Sequence, residues 1–551
     1  MNWIKRNNAV KGVKDAFLSN HDLSSLDEIN DWFRKSYAHN YRIDLLKEAV
    51  AFVKTFKDKK VTIVGDYDCD GVTSTSILYM ALRHAGFTNV SYRIPKRFTE
   101  GFGINPTIVD EINEGLIITC DNGIAQTDVI RMAKKKGLSV VVIDHHQPEV
   151  NNGNVVLPNA DINIDPNAIE NSADFAGYCA AGLTYRFACE LLDYEKPFCD
   201  KLLGLAAIGT IGDVMELKEE NYVIVRNGLK VLVSEHLCTK GLHALLSSCE
   251  LSSSITSKDV GFTVAPILNA VSRLNDEGAN DSVSLLIYDD DETEAVRQAV
   301  RLIEINKKRK EYKAQGIDKA HEIIEAENIR KDIPMLIYVP DVKEGIVGII
   351  AGSLCEEYKV PVIVVTNTEA GTLKGSARSC GNYNVKEKLD EVSYLLLEYG
   401  GHAGAAGLSL KKEHLDILRK ELINNATDFE NESVNDIYYD IDISVDEIKD
   451  ALLEMGKYEP YGEGNPLPVF RVNGFVPSES YGAYKKLIGA DKTTVKISCG
   501  KVSAIGFHMA DAMQGLAEDD SPIDIIGTLS FNTFKGMVTP QIEIIDAKRS
   551  A

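Results

Sequence analysis

Three short apolar runs in the first third of the chain each end in charged side chains. Val61 to Val64 delivers Gly65-Asp66-Tyr67-Asp68-Cys69-Asp70-Gly71. Leu116 to Thr119 delivers Cys120-Asp121-Asn122-Gly123, and Leu138 to Ile143 delivers Asp144-His145-His146. Short apolar runs without alternation read as strands buried on both faces, as in parallel sheets. Helix-like segments alternate with them up to about Leu192, so a doubly wound α/β sheet is expected. Ligands of such a sheet sit outside the carboxyl ends of its strands. Carboxylates and imidazoles gathered there predict a site for hard divalent metal ions and chemistry on phosphate.

At 551 residues the chain is too long for one core, and roughly three or four domains are expected. Its 44% hydrophobic and 26% charged residues fit a globular, soluble protein. No apolar run is long enough for a membrane helix, and the start lacks a signal-peptide stretch. Ten cysteines without a C-x-x-C pair fit reduced thiols, hence a cytoplasmic protein without disulfides or zinc. The net charge of −22 argues against a generic nucleic-acid binder. A local basic groove within an acidic protein still holds phosphate.

Residues 1–58 read as an N-terminal helical segment, and 59–290 as the α/β domain followed by helices. Helices are expected over Gly71 to Ala85, Asn105 to Glu114 and Ala125 to Lys136. Residues 291–332, rich in Glu, Lys, Arg and Ala, read as a long connecting helix whose charges mostly face solvent. A second, smaller α/β domain is expected over 333–430, with a helix from Gly348 to Tyr358. Strand-rich residues 436–551, with turns at Pro460 to Pro466 and Lys535-Gly536, suit a small β-barrel.

Asp66, Asp68 and Asp70 alternate, so on extended backbone they share one face. The glycines on either side allow a tight turn and a close phosphate. One of the acids is also expected to cap the next helix. A calcium loop is excluded, because its twelfth position would be Ile77 rather than Glu, and a strand precedes it. Asp121 can bridge two cations held by the first loop. Adjacent His145 and His146 point in different directions, so one can bind metal while the other faces substrate. Asp213, ending Leu205-Ala-Ala-Ile-Gly-Thr-Ile-Gly, is equally a helix cap or a further ligand. Four carboxylates and one imidazole suit two Mn²⁺ or Mg²⁺ ions, roughly 3.5–4 Å apart, in a phosphoryl displacement. Cys69 and Cys120 read as small buried fillers.

Together GDYDCDGVTST, TCDNGI, VVVIDHH, GTIGDV, GSARS, GGHAGAAG, PYGEGNP and TFKGMVTPQIEIID, in this order, resemble the DHH phosphoesterase superfamily. Within it the chain is similar to the RecJ family of single-strand-specific 5′→3′ DNA exonucleases. The resemblance implies a DHH catalytic domain, a DHH-associated domain closing over substrate, and a C-terminal OB-fold. It implies metal ligands at Asp68, Asp70, Asp121, His145 and Asp213, with Asp121 bridging. Asp66, Asp144 and His146 match supporting or substrate-facing catalytic positions. Arg97, Ser376 and Arg378 match holders of a 5′ phosphate, and Phe102 stands where an aromatic can stack on the terminal base. Arg273 and His402 complete the expected DNA-binding set.

Three stretches depart from the family pattern. Ala265-Pro266-Ile267-Leu268-Asn269-Ala270-Val271-Ser272-Arg273 keeps only the second of two arginines. Val342-Lys343 replaces Trp-His, and Phe534-Lys535-Gly536 replaces Trp-Arg-Gly. These changes spare the metal ligands and fall on expected DNA-contact surfaces. The expected activity is metal-dependent trimming of single-stranded DNA to mononucleotides in repair and recombination. The expected protein is a monomer off the membrane, with a single-strand-binding protein or a helicase as partner. Two rivals remain: a small-nucleotide phosphodiesterase, disfavoured by the OB segment, and an inactive scaffold, disfavoured by the complete ligand set.

Overall fold

The computed structural model describes residues 2–151, 153–426, 429, 436–478, 485–489, 492–516, 518–534 and 537–550. The expected turn at Lys535-Gly536 lies outside them. The chain folds into two compact units. One gathers Arg42–Asp213 and Asn227–Ser433; the other gathers Met1–Tyr41, Val214–Arg226 and Val434–Ala551.

The larger unit opens with a five-stranded sheet. In sheet order its strands are Val90–Arg93, Val61–Val64, Leu116–Cys120, Ser139–Ile143 and Ile162–Ile164. Every neighbouring pair is parallel. Counted along the chain the order is 2-1-3-4-5, so the winding reverses between the Val61 and Leu116 strands. Both are buried along their whole length. Ile108, Val109, Ile130 and Ala133 of helices Pro106–Glu111 and Thr127–Lys135 pack with Val64, Ile117, Val140 and Val142. Helices Cys69–His84 and Ala180–Leu191 also contact these strands.

The first helix starts earlier than expected, at Cys69 rather than Gly71, because Asp68 caps it. Asn105 likewise caps Pro106–Glu111, with proline in the first turn. The glycines of Gly209-Thr-Ile-Gly212 have a packing reason. A Cβ on Gly209 would stand 2.4 Å from Ala181 Cβ and 2.9 Å from Asp70 Oδ1. On Gly212 it would stand 2.6 Å from Cys69 Sγ. Only bare backbone lets the end of helix Lys196–Gly212 approach this closely, and Asp213 follows as its C-cap.

Helix Glu292–Glu327 then runs 36 residues. Its early turns contact helices Lys240–Ser248 and Ala265–Leu274. Later, Ala320 and Ile324 join the core under a second sheet. That sheet is mixed, in the order Leu396–His402, Ala405–Leu410, Leu373–Arg378, Val362–Asn367, Met335–Tyr338. Only the last pair is parallel. Helix Val347–Tyr358 packs Val347, Ile350, Ala351 and Leu354 into the same core.

The smaller unit carries one seven-stranded sheet, ordered Ile441–Ser444, Phe470–Phe475, Ile523–Phe534, Met537–Arg549, Val502–Gly506, Thr494–Cys499, Lys485–Ile488. Its long pair is bulged between Ile526 and Gly527, a device that bends strands. Residues 1–58 are not purely helical as expected. Asn2–Lys5 is a strand paired in parallel with Asp436–Tyr439, and residues up to Tyr41 belong with the C-terminal strands. Among the described residues no helix is long and apolar enough to cross a membrane.

Gly209→Ala is expected to lower unfolding free energy by about 1–3 kcal/mol through overpacking. Gly407→Ala, with open space around its Cβ position, is expected to change it by less than about 0.5 kcal/mol. Denaturant titration followed by circular dichroism compares them.

Candidate metal centre

The Gly65–Gly71 turn is tight for reasons internal to the protein. A Cβ on Gly65 would meet Thr75 Oγ1 at 2.0 Å, and one on Gly71 would meet the Asp66 carbonyl oxygen at 2.5 Å. The room expected for phosphate is therefore filled by protein at both glycines. The three acids also do not share an extended face, since Asp70 already lies in the helix. They converge because a strand end, a cap and a first helical turn follow one another. Asp68 Oδ1 accepts the Asp70 and Gly71 N–H groups, each at 3.1 Å. Asp70 is held by another helix start: its Oδ2 and Oδ1 accept the Ala180 and Ala181 N–H groups at 2.8 and 2.9 Å.

Asp121 lies at the adjacent strand end with φ 65°, in the left-handed region. There aspartate is tolerated better than most residues, at a cost of about 1 kcal/mol. Asn122, which sequence reasoning passed over, secures this turn. Its Nδ2 donates to the Val64 and Cys120 carbonyls at 3.1 and 2.9 Å, while its Oδ1 accepts the Ile104 N–H at 2.9 Å. One buried amide thus ties both strand ends to the following loop. An Asn next to a strand-end Asp in TCDNGI was the available signal.

His145 Nε2 lies 3.2 Å from Asp121 Oδ1, 3.6 Å from Asp213 Oδ2 and 3.7 Å from Asp70 Oδ2. It is buried and has no hydrogen-bond partner. A nitrogen facing three carboxylates needs a cation or a proton between them. Three donor groups each converge within 4.8 Å: Asp70, His145 and Asp213; Asp121, His145 and His146; Asp66, Asp68 and Asp121. Asp121 and His145 each belong to two groups, as bridging requires. All-oxygen-and-imidazole donors fit Mn²⁺ or Mg²⁺. Asp66 and His146, both expected in supporting or substrate-facing positions, also fall within these donor groups.

The electrostatics point the same way. Burial, then the repulsion of Asp70, Asp68, Asp66 and Asp213, pushes the Asp121 carboxyl well above its ordinary range. Burial and Asp68 raise Asp66, and burial with Asp70 and Asp68 lifts Asp213 to about 8. Such acids ionise together only with compensating positive charge. Burial lowers His145 and keeps it a neutral donor. His146 differs: burial opposes its charge, but its 2.8 Å bond from Nδ1 to Asp144 Oδ1 prevails and raises it to about 9. Asp144 also accepts the N–H groups of Ile124, His145 and His146 at 3.0, 2.8 and 3.3 Å. Burial would raise Asp144, yet His146 leaves it lowered. Cys69 and Cys120 are buried thiols as expected.

Basic groups gather nearby. Burial lowers Arg273 to about 9, followed by repulsion from Arg97 and Arg309, while Asp68 opposes and Arg378 adds to the repulsion. Arg97 stacks over the Tyr67 ring at 4.6 Å. Arg378 Nη1 donates to Ser376 Oγ and the Ala377 carbonyl, both at 2.8 Å. A Cβ on Gly348, at the start of helix Val347–Tyr358, would stand 2.9 Å from Arg378 Nη2 and 3.1 Å from Ser376 Oγ. Helix start, hydroxyl and guanidinium thus lie side by side, groups of the kind that bind anions. Phe102 is 41% exposed, so it is no core residue, and it meets the His146 ring edge-on at 5.3 Å. His402 is exposed at its strand end. The register sets His402, Ala405 and Arg378 in one row across three strands, which separates His402 from Arg378 by about 10 Å.

Arg309 is an exception among the solvated charges of helix Glu292–Glu327: it is half-buried, adds to the repulsion on Arg273 and donates to Asn306 Oδ1 at 3.0 Å. One sequence expectation changes here. Ile267, expected on a DNA-contact surface, is 2% exposed in the core. Lys343 lies over the Tyr312 ring at 5.2 Å and lines a hollow of about 900 Å³ with Arg273 and Lys374.

Residues 60–210 match the family model of the DHH family, N-terminal domain; 332–428 match the DHHA1 domain and 439–546 the RecJ OB domain. The chain is 34% identical to the single-stranded-DNA-specific exonuclease RecJ of Bacillus subtilis over 92% of this chain and 62% of that protein. It thus spans less than two thirds of that relative. With the same-named protein of Haemophilus influenzae it shares 32% identity over 79% of this chain and 77% of that one. The crystal structure of RecJ in complex with Mn²⁺ from Thermus thermophilus is similar, with a TM-score of 0.76 and 26% identity, covering 92% of this chain and 72% of that one. Three matched domains in this order, joined to a buried carboxylate–imidazole cluster at a sheet switch point, place the chain in the RecJ family of single-stranded-DNA-specific exonucleases, within the DHH superfamily.

Proposed function

We propose that this protein hydrolyses single-stranded DNA from its 5′ end, releasing mononucleotides with the aid of two Mn²⁺ or Mg²⁺ ions. The observation that carries this reading is the meeting of two opposite charge clusters in one unit. Arg273 is repelled by Arg97, Arg309 and Arg378 and attracted by Asp68. The solved structures of the Thermus thermophilus relative, in complex with Mn²⁺ and with Mg²⁺, support the choice of cation. We assign catalysis to residues 59–290 and substrate holding to 333–430, with 291–332 joining them and the OB segment from 436 receiving single strand.

Asp68, Asp70, Asp121, His145 and Asp213 would hold the cations, with Asp121 shared and Asp66 close by. Bound there, they would supply Lewis acidity toward the scissile phosphate and lower the pKa of a nearby water. Asp70 and Asp68 are oriented by helix N–H groups and so would need little reorganisation to hold the cations. Asp144 fixes the His146 ring through Nδ1, leaving Nε2 to face substrate. A charged His146 stabilises negative charge building on phosphate oxygens. Ser376 and Arg378 hold the 5′ phosphate with Arg97, Phe102 takes the terminal base, and Arg273 with Arg309 receives the following backbone. A narrow cleft between the two α/β lobes would admit one strand and exclude duplex. The protein works as a cytoplasmic monomer in repair and recombination, with a single-strand-binding protein or a helicase as partner.

An internally labelled strand blocked at either end, supplied with Mn²⁺, tests this. Digestion is expected only with a free 5′ end, and Asp121→Ala is expected to reduce kcat by at least about a thousandfold. Digestion from the 3′ end overturns the polarity. Inertness toward strands alongside rapid dinucleotide cleavage overturns the substrate class. Arg378→Ala is expected to raise KM for a 5′-phosphorylated strand about ten- to a hundredfold, the worth of a charged hydrogen bond. Steady-state kinetics on phosphorylated and hydroxyl-ended strands measure it.

A further inference from the structure

The loop that carries Arg97 and Phe102 has little regular structure of its own, yet it must hold a guanidinium and an aromatic ring in place. Local bonds close it. Lys96 N–H donates to Glu100 Oε2 at 2.9 Å, and Glu100 Oε1 pairs with Arg93 Nη2 at 2.6 Å. Its tip is fastened elsewhere. Phe98 N–H donates to Asp276 Oδ1 at 2.6 Å, and Thr99 Oγ1 donates to Asp276 Oδ2 at 2.6 Å. Lys96 Nζ pairs with Glu277 Oε1 at 2.8 Å. Two short bonds to one carboxylate define both position and orientation, and charge-assisted bonds are about twice as strong as neutral ones.

Asp276 follows closely on Arg273, in the turn after helix Ala265–Leu274. The end of that helix is pressed against the second lobe. A Cβ on Gly345 would stand 2.1 Å from the Arg273 carbonyl oxygen, and Arg273 Nη1 donates to the Gly345 carbonyl at 3.3 Å. Gly345 shortly precedes helix Val347–Tyr358, whose first turn adjoins Ser376 and Arg378. The end of helix Ala265–Leu274 and the turn after it therefore touch the approach to Arg378 and the Arg97 loop, respectively.

We propose that Asp276 is the positioning residue for 5′-end specificity, setting the Arg97–Phe102 loop at a fixed spacing from Ser376 and Arg378. The inference rests on the reading of Arg97, Ser376 and Arg378 as holders of the 5′ phosphate. Asp276 lies outside the donor groups around Asp121 and His145. Its loss loosens the loop without changing the donors around Asp121 and His145. The affected quantity is recognition of the phosphorylated end, not the chemical step.

The experiment compares the full-length wild type with Asp276→Ala, Asp276→Asn and Thr99→Val on matched 5′-phosphorylated and 5′-hydroxyl strands. Asp276→Ala is expected to raise KM for the phosphorylated strand about tenfold, equivalent to about 1.4 kcal/mol, with kcat within about twofold. KM for the hydroxyl strand is expected to rise by no more than about twofold to threefold, through the Phe102 contact alone, so the preference shrinks. Asp276→Asn keeps one carboxamide oxygen for Phe98 N–H and is expected to restore part of it. Thr99→Val removes one donor from an exposed side chain, guards against a folding failure at position 276, and is expected to show a smaller shift of the same kind. A wild type with the preference and variants that retain it overturn the proposal alone. Equal losses on both strands, or a fall in kcat at constant KM, also overturn it. A wild type indifferent to the 5′ phosphate overturns the phosphate-site reading and the proposal with it.

Discussion

Buried negative charge at the reversal point of a parallel sheet governs the larger unit. Asp66, Asp70, Asp121 and Asp144 are each 2% exposed or less, and Asp68 and Asp213 lie among them. Carboxylates in a low dielectric repel one another strongly. The fold answers with oriented dipoles before any cation arrives. Asp68 caps one helix and Asp70 receives the first N–H groups of another, where the positive ends of helices favour anions. His145 and His146 supply the remaining polar partners. The glycines of the GTIG segment allow the helix bearing Asp213 to come close enough to finish the cluster.

The basic residues show the complementary arrangement. Arg273 feels the repulsion of Arg97, Arg309 and Arg378, which Asp68 opposes. Arg378 is satisfied by a hydroxyl and a carbonyl instead of an acid. Guanidinium groups kept from carboxylates remain available to phosphate, which matches their planar fork. A net charge of −22 is therefore compatible with the nucleic-acid substrate proposed above. The relevant field is that of a few oriented groups, not the sum over the surface.

The sequence carried the metal side of this arrangement more openly than the arginine side. Parallel strands read as continuous apolar runs, and whatever follows each run sits at its carboxyl end. Asp66 to Asp70, Asp121 and Asp144 to His146 could thus be assigned to one place before any coordinate was known. Arg309 could not. It lies in a helix dense with charges, and helical periodicity does not say which of several arginines a neighbouring lobe covers. The Asn2–Lys5 strand was hidden for another reason. Its partner, Asp436–Tyr439, lies over 400 residues away, and four residues with no alternation carry no strand signal. Ile267 shows the opposite error, a motif position assumed to be a contact that packing places in the core.

Backbone strain and side-chain satisfaction meet at Asp121. Its left-handed conformation turns the carboxylate back toward the first loop. A residue so placed persists only where its surroundings over-determine it. Asn122 provides that determination, spending all three of its hydrogen bonds on the two strand ends and the Ile104 loop. The Asp121 N–H is taken by the Ile143 carbonyl at 3.1 Å, from the strand that carries Asp144 and His145. Three strand ends are thereby locked into one register around a single carboxylate. That is why the shared donor of the cluster comes from the middle strand: it alone borders both neighbours, and its position is set by main-chain bonds rather than by the cations it would bridge.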